Sequence, residues 1–157
     1  WEEIHDALRE RRVEKVYLAL VNGRVAAGGV ISTPLAQRGG RVVPAPDAAA
    51  EERLLAKGLR PRPAETRYEV LRRFERHTLL EVRILTGVTH QIRAHLAHAG
   101  HPVAGDALYG GEAAAVPGLR RQFLHAARLS LEAPGGGHVQ AESPLPRELA
   151  AVLERLR

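Results

Sequence analysis

The 157-residue chain is 45% hydrophobic and 26% charged, with a formal net charge of +5 and an isoelectric point near 10.4. That length is one domain's worth, the composition is that of an ordinary globular protein with a single core, and no apolar run approaches the roughly 20 residues that cross a bilayer. The absence of cysteine excludes a disulfide framework and a thiolate zinc site. The cations are nearly all arginine, with Lys15 and Lys57 the only lysines, and their surplus points to a polyanionic partner, because cations on phosphates release condensed counterions. No secretory leader pattern opens the chain, so a cytoplasmic location is expected. The sequence starts at Trp1 and holds no methionine, which leads us to expect further residues upstream.

In chain order, WEEIHDALRERR carries Ile4 and Leu8 four apart, with acids early and arginines late, and predicts a helix over residues 1–12. EKVYLALV predicts a strand closed by Asn22-Gly23. Residues 23–47 hold the short apolar stretches GVIS and RVVP among glycines and prolines, which predicts short strands joined by loops. DAAAEERLLAKG predicts a short helix stopped at Gly58. ETRYEVLRRF and HTLLEVRIL alternate as two strands of a hairpin. Thr89 is placed to cap a helix over HQIRAHLAHA, with Ile92 and Leu96 on its buried side and Gly100 at its end. FLHAARLSLEA and GHVQAES predict two strands across PGGG, and PLPRELAAVLERLR a final helix started by proline. Strands outnumber helices and hairpins outnumber crossovers, so the expected class is α+β with a mainly antiparallel sheet.

The stretch TGVTHQIRAHLAHAGHPVAGDALYG, residues 86–110, is dense in chemistry. His90, His95, His98 and His101 raise a metal site, since imidazole is the commonest metal ligand. On a helix His95 and His98 share a face, but His90 lies well round from them, His101 falls beyond Gly100, and no glutamate accompanies them at metalloprotease spacing. Helix-surface, capping and phosphate-side roles fit the histidines better, and no metal is expected. Arg93 reads as a solvated arginine or as one leaning from the buried face toward a cleft. Asp106 and Tyr109 read as a turn acid and a core aromatic. Lys15 and Tyr17, two apart, share one face of a strand, as a base-stacking platform or an amphipathic edge.

In order along the chain, KVYLALVNG at 15–23, AETRYEVL at 64–71, the 86–110 stretch and FLHAARLSL at 123–131 resemble the RluA-type family of RNA pseudouridine synthases, from about residue 5 to residue 147. The resemblance implies the pseudouridine synthase fold, a mixed, mainly antiparallel sheet with helices and loops around a cleft. It also implies an isomerase that turns uridine into pseudouridine in RNA without a cofactor, with ribosomal RNA the first expected target and transfer RNA the second. Neither a membrane nor an obligate protein partner is expected. Tyr17 in KVY matches the family tyrosine that stacks on or assists the uracil, and Arg93 in HQIR the arginine that pairs with the family's aspartate. Leu124 in FLHA falls where the family packs an apolar side chain near the base. Lys15, Thr89, His90, Gln91 and His125 join Leu124 as expected substrate or RNA contacts.

The chain departs from the family pattern at two places. Val88 stands where TGR is usual, so one family arginine is absent. The family's catalytic aspartate lies in an HRLD segment upstream of KVY, whereas the only aspartates here are Asp6, Asp47 and Asp106, and Asp106 matches a family position that is not the nucleophile. Residues 1–157 are therefore expected to be the C-terminal two-thirds of a catalytic domain, inactive alone and active with the aspartate-bearing segment. The competing readings are a catalytically inactive RNA-binding module that keeps the fold, and a metal-dependent hydrolase built on the histidines.

Overall fold

The structure, a computed structural model, describes residues 13–133 and 137–156. The expected helix over residues 1–12 and the turn at residues 134–136 lie outside the described residues. Strand β1 (Val13–Asn22) takes the alternating VEKVYLALVN and sends Lys15, Tyr17, Ala19 and Val21 to one face, Val16 and Leu20 to the other. β2 (Gly29–Ile31), β3 (Leu35–Arg38), β4 (Arg41–Pro44), β5 (Thr66–Arg73), β6 (His77–Ile84), β7 (Leu124–Ala133) and β8 (Gly137–Glu142) complete the strands. Six of them form one sheet in the order β2-β5-β6-β1-β7-β8, every pair antiparallel. The expected α+β class with an antiparallel sheet is what the chain adopts.

Each face of the sheet carries a helix. On one, Ala19 and Val21 of β1 and Leu80, Val82 and Ile84 of β6 pack under Ile92 and Leu96 of helix α2 (Gln91–His98). On the other, Leu20, Phe74 and Phe123 pack under Leu149 and Val152 of helix α3 (Arg147–Arg155). Phe123 is fully buried, and truncating it to alanine is expected to cost about 3–5 kcal/mol. Helix α1 (Ala48–Leu55) starts at Asp47, whose Oδ1 accepts the Ala50 amide at 2.7 Å.

A separate hairpin, β3–β4, lies against the far side of α2: Leu35 and Val42 meet Ala94 in a small third cluster. Its turn puts Gly39 and Gly40 at φ of 51° and 76°, the positive pair that a two-residue hairpin turn requires. The strand LAQR was not expected, because it holds no β-branched or aromatic residue. Cross-strand pairing decides it instead: Arg38 opposes Arg41 and Leu35 opposes Pro44.

Candidate functional site

The entry to α2 corrects one expectation. Thr89 does not cap the helix: the N-cap is His90, at φ 55°, with no side-chain cap bond. Among the described residues His90 is the one non-glycine residue with positive φ. Gln91, the first helical residue, does the anchoring. Its Oε1 accepts the Thr86 hydroxyl at 2.7 Å and the Val88 amide at 3.3 Å, while its Nε2 donates to the Glu65 carbonyl at 2.8 Å and to Thr66 Oγ1 at 3.2 Å. Thr66 in turn meets His95 Nδ1 at 2.8 Å, and His95 Nε2 lies 2.8 Å from the Thr33 carbonyl. A carbonyl only accepts, so Nε2 carries the proton and Nδ1 takes one from Thr66.

This polar chain ties the 86–89 loop, β5 and α2 together. It also reverses two expectations. Gln91 is 2% exposed and both ends of its amide are spent inside the protein, so it presents nothing to an RNA. His95 is not a surface histidine: it is fully buried, and burial holds its pKa below the usual histidine value. The signal was available, since His95 sits at helical spacing between Ile92 and Leu96.

Arg93 leaves the same helix toward the exit turn. Its Nε and Nη2 each donate to one carboxylate oxygen of Asp106 at 2.7 Å, a two-pronged pair in which Asp106 is wholly buried and Arg93 13% exposed. Asp106 Oδ1 also accepts the amides of Leu108 and Tyr109 at 3.0 and 3.2 Å. Burial pushes the Asp106 pKa up, but the Arg93 hydrogen bonds and those amides outweigh it and hold the carboxyl below the usual range. The Arg93 guanidinium lies 5.1 Å from the centroid of the Tyr109 ring, and Arg41 lies 5.2 Å from the same ring. Tyr109 Oη accepts the Val42 amide at 2.9 Å and meets His90 Nδ1 at 3.2 Å. The expected partner of Arg93 was an upstream aspartate; within the described residues its partner is Asp106. Both described aspartates are thus committed, Asp47 to the α1 cap and Asp106 to Arg93.

Tyr17 stands half-buried on the sheet face that α2 covers, packed with Leu124 on the cluster that Ile92 enters beside Arg93. Burial pushes the Tyr17 pKa up, which favours the protonated hydroxyl. A bulge in the β1–β7 ladder falls beside it: Val16 opposes Arg128 and Tyr17 opposes Ala126, leaving Ala127 as the extra residue. His125 is turned the other way, donating from Nε2 to the Ser143 carbonyl at 2.9 Å. No hydrogen bond joins Tyr17 to Arg93 among the described residues.

Lys15 and Thr89, with Val88 between loop and core, line a cleft of about 1070 Å³ that Gln37, Arg60 and Arg62 also line. Val88 packs with Leu35, Val42 and Ala64, which gives this residue a structural role in place of a charge. Lys15 reaches over the loop: a Cβ on Gly87 would lie 3.6 Å from its Nζ. His101, bonded to the Asn22 carbonyl at 3.0 Å, and exposed His98 lie apart from the buried His95, so the four histidines do not converge.

Comparison with known proteins agrees with this architecture. Residues 1–98 match the family model described as RNA pseudouridylate synthase. The chain is 40% identical to ribosomal large subunit pseudouridine synthase D of Nitrosomonas europaea, covering 96% of this chain and 43% of that protein. It is 37% identical to ribosomal large subunit pseudouridine synthase C of Salmonella typhi, covering 98% and 48%. The chain thus spans about half the length of the curated relatives it matches. Human RNA pseudouridylate synthase domain containing 1 superposes with a TM-score of 0.78 at 28% identity, covering 96% of this chain and 63% of that one. Human RNA pseudouridylate synthase domain containing 4, at 23% identity and a TM-score of 0.73, shares the fold. With more than half its length matched by the family model and the same fold in the solved relatives, the chain belongs to the RNA pseudouridylate synthase family.

Proposed function

We propose that this chain is the larger part of the catalytic domain of a cytoplasmic RNA pseudouridine synthase that isomerises uridine in ribosomal RNA. The observation that carries the reading is the meeting of Tyr17, Leu124 and the first turn of α2, which bears Arg93, over one apolar cluster. Isomerisation balances without any oxidant or cofactor: the C1′–N1 bond breaks, a C1′–C5 bond forms, C5 gives up a proton and N1 gains one. The site must therefore hold and turn a base. A base taken out of its stack finds a partner in the half-buried Tyr17 ring, and stacking of that kind is worth about 1–3 kcal/mol. Arg93, whose Nε and Nη2 hold Asp106, keeps its Nη1 group to meet a carboxylate brought in by an upstream aspartate segment, and such a pairing keeps that carboxylate ionised. Lys15, Thr89 and His90 are the exposed or half-exposed candidates for RNA contact; His125 joins them once its ring leaves Ser143.

The test is release of tritium from RNA carrying 5-tritiated uridine. Residues 1–157 alone are expected to release none, and a longer gene product that includes the aspartate segment is expected to release it. Release by residues 1–157 overturns the role given to an upstream aspartate. Silence from the longer product favours the alternative, an RNA-binding module that keeps the fold without the chemistry.

A further inference from the structure

The segment Arg60-Pro61-Arg62-Pro63 forms one wall of the 1070 Å³ cleft. Side chains two apart on an extended chain project to one side, and both Arg60 and Arg62 line the cleft. The two prolines fix φ and donate no amide hydrogen, so the segment is stiff. Its position is fixed too: the Arg62 amide donates to the Leu35 carbonyl at 2.9 Å and the Leu35 amide to the Arg62 carbonyl at 3.0 Å, while the Arg62 side chain stays exposed. Lys15 lines the same cleft, with its Nζ beside Gly87 of the 85–89 loop. No acidic residue lines the cleft, and none of the three cations takes part in an ion pair among the described residues. Between the cations lie Leu35, Leu59, Leu85 and Val88, an apolar floor.

We infer that this cleft holds a single-stranded RNA segment flanking the target uridine, with Arg60 and Arg62 on successive backbone phosphates and Lys15 beside the 85–89 loop. The inference rests on the proposed function and extends it to Arg60 and Arg62, which the family motifs do not touch. At about 1070 Å³ the cleft stands at the upper end of the roughly 300–1,000 Å³ range of ligand pockets, with room for more than one nucleotide. Two arginines at a two-residue spacing stand about 6.6 Å apart along the strand, close to the separation of neighbouring phosphates in an extended chain. The apolar floor accepts bases and ribose, whereas a duplex keeps its bases inside and offers the floor nothing.

The experiment measures binding of residues 1–157 to a fluorescent single-stranded RNA of ten nucleotides, and to a duplex of equal length, across a salt series. Arg60→Ala/Arg62→Ala is compared with Arg24→Ala/Arg76→Ala, exposed arginines at the opposite end of the sheet. In the cleft variant the slope of log affinity against log salt is expected to fall by about 1.4, from about 0.7 per phosphate contact on a single strand, with about tenfold weaker binding at 0.1 M salt. The control pair is expected to keep the parent slope. All four side chains are exposed, and unchanged thermal midpoints verify that the variants fold. Four-thiouridine in the same RNA is expected to crosslink to peptides spanning residues 58–63 and 85–89. Strong salt-dependent binding that the cleft variant leaves untouched, tighter binding of the duplex, or crosslinks confined to other peptides overturns the cleft assignment and leaves the proposed function standing. Loss of all salt-dependent RNA binding in the parent chain overturns both.

Discussion

Two neighbouring regions of the molecule, the α2 network and the cleft beside the 86–89 loop, are built on opposite principles. Around α2, Gln91, His95, Arg93 and Asp106 are spent on one another or on backbone, buried and with defined geometry. In the cleft Arg60 and Arg62 are fixed only through backbone and keep their side chains in water. A buried, saturated network sets where a group points and is intolerant of change, while exposed cations set how strongly a polyanion is held and are tolerant of it.

The largest contrast is expected between the two kinds of arginine. Arg93→Ala leaves Asp106, wholly buried, without its partner and is expected to cost about 3–5 kcal/mol in urea unfolding, since an uncompensated buried charge is the penalty. Asp106→Ala strands the guanidinium instead and is expected to fall in the same range. Arg60→Ala/Arg62→Ala is expected to stay within about 0.5 kcal/mol of the parent. This revises what the motif alone implies for Arg93, namely a catalytic loss with little effect on folding: activity of an Arg93 variant has to be read against its stability. Equal destabilisation by both sets would erase the distinction between the two regions.

Next in size is Gln91. Its replacement by alanine unsatisfies the Thr86 hydroxyl, the Val88 amide and the Glu65 carbonyl together, and is expected to cost about 1–3 kcal/mol. The damage should concentrate in the 86–89 loop, so amide exchange there should rise while the β1 and β6 amides stay protected. Uniform loss of protection would mean the loop is not held separately by this side chain.

A third test uses pH. Burial first, countered in part by the Thr33 carbonyl, holds the folded His95 pKa below the ordinary 6.5, so at mildly acid pH the unfolded chain binds a proton that the folded one refuses. Stability is then complete above about pH 6.5 and declines as pH falls from there toward the folded pKa. His77 and His90, both lowered chiefly by burial, add slopes of the same sign. Thermal midpoints of the parent are expected to drop between pH 7 and pH 5, and those of His95→Gln to drop less. A parallel decline in both would assign the slope to the other histidines.

Period-two alternation made the long strands legible, because a sheet with helices on both faces needs apolar side chains on each. The motif singled out Arg93 and Tyr17 as candidates, but not the partner that Arg93 has among the described residues, since Asp106 reaches it only after the exit turn folds back across thirteen positions. β3 escaped because LAQR has no strand propensity of its own and is a strand through its neighbour β4. The Arg60 and Arg62 wall was legible only as a sum of charge: alternation of arginine with proline is a pattern, but which surface it faces depends on the pairing of Arg62 with Leu35 at the start of β3, 27 positions away in sequence.

The smallest expected effect separates sequence reasoning from geometry most cleanly. A threonine just ahead of HQIRAHLAHA reads as a helix cap, and removing such a cap costs about 1 kcal/mol or more. In the structure the N-cap position belongs to His90, in the left-handed region, and no side chain caps the first turn. The strain of a non-glycine residue at φ 55° is offset by the bond from His90 to the Tyr109 hydroxyl and by Gln91, which fixes the loop by reaching back to the Val88 amide. Thr89 itself is exposed on the cleft rim. Thr89→Ala is therefore expected to change unfolding free energy by less than about 0.5 kcal/mol, the range of surface substitutions. A loss near 1 kcal/mol would restore the cap to Thr89 and remove the hydroxyl from those available to RNA.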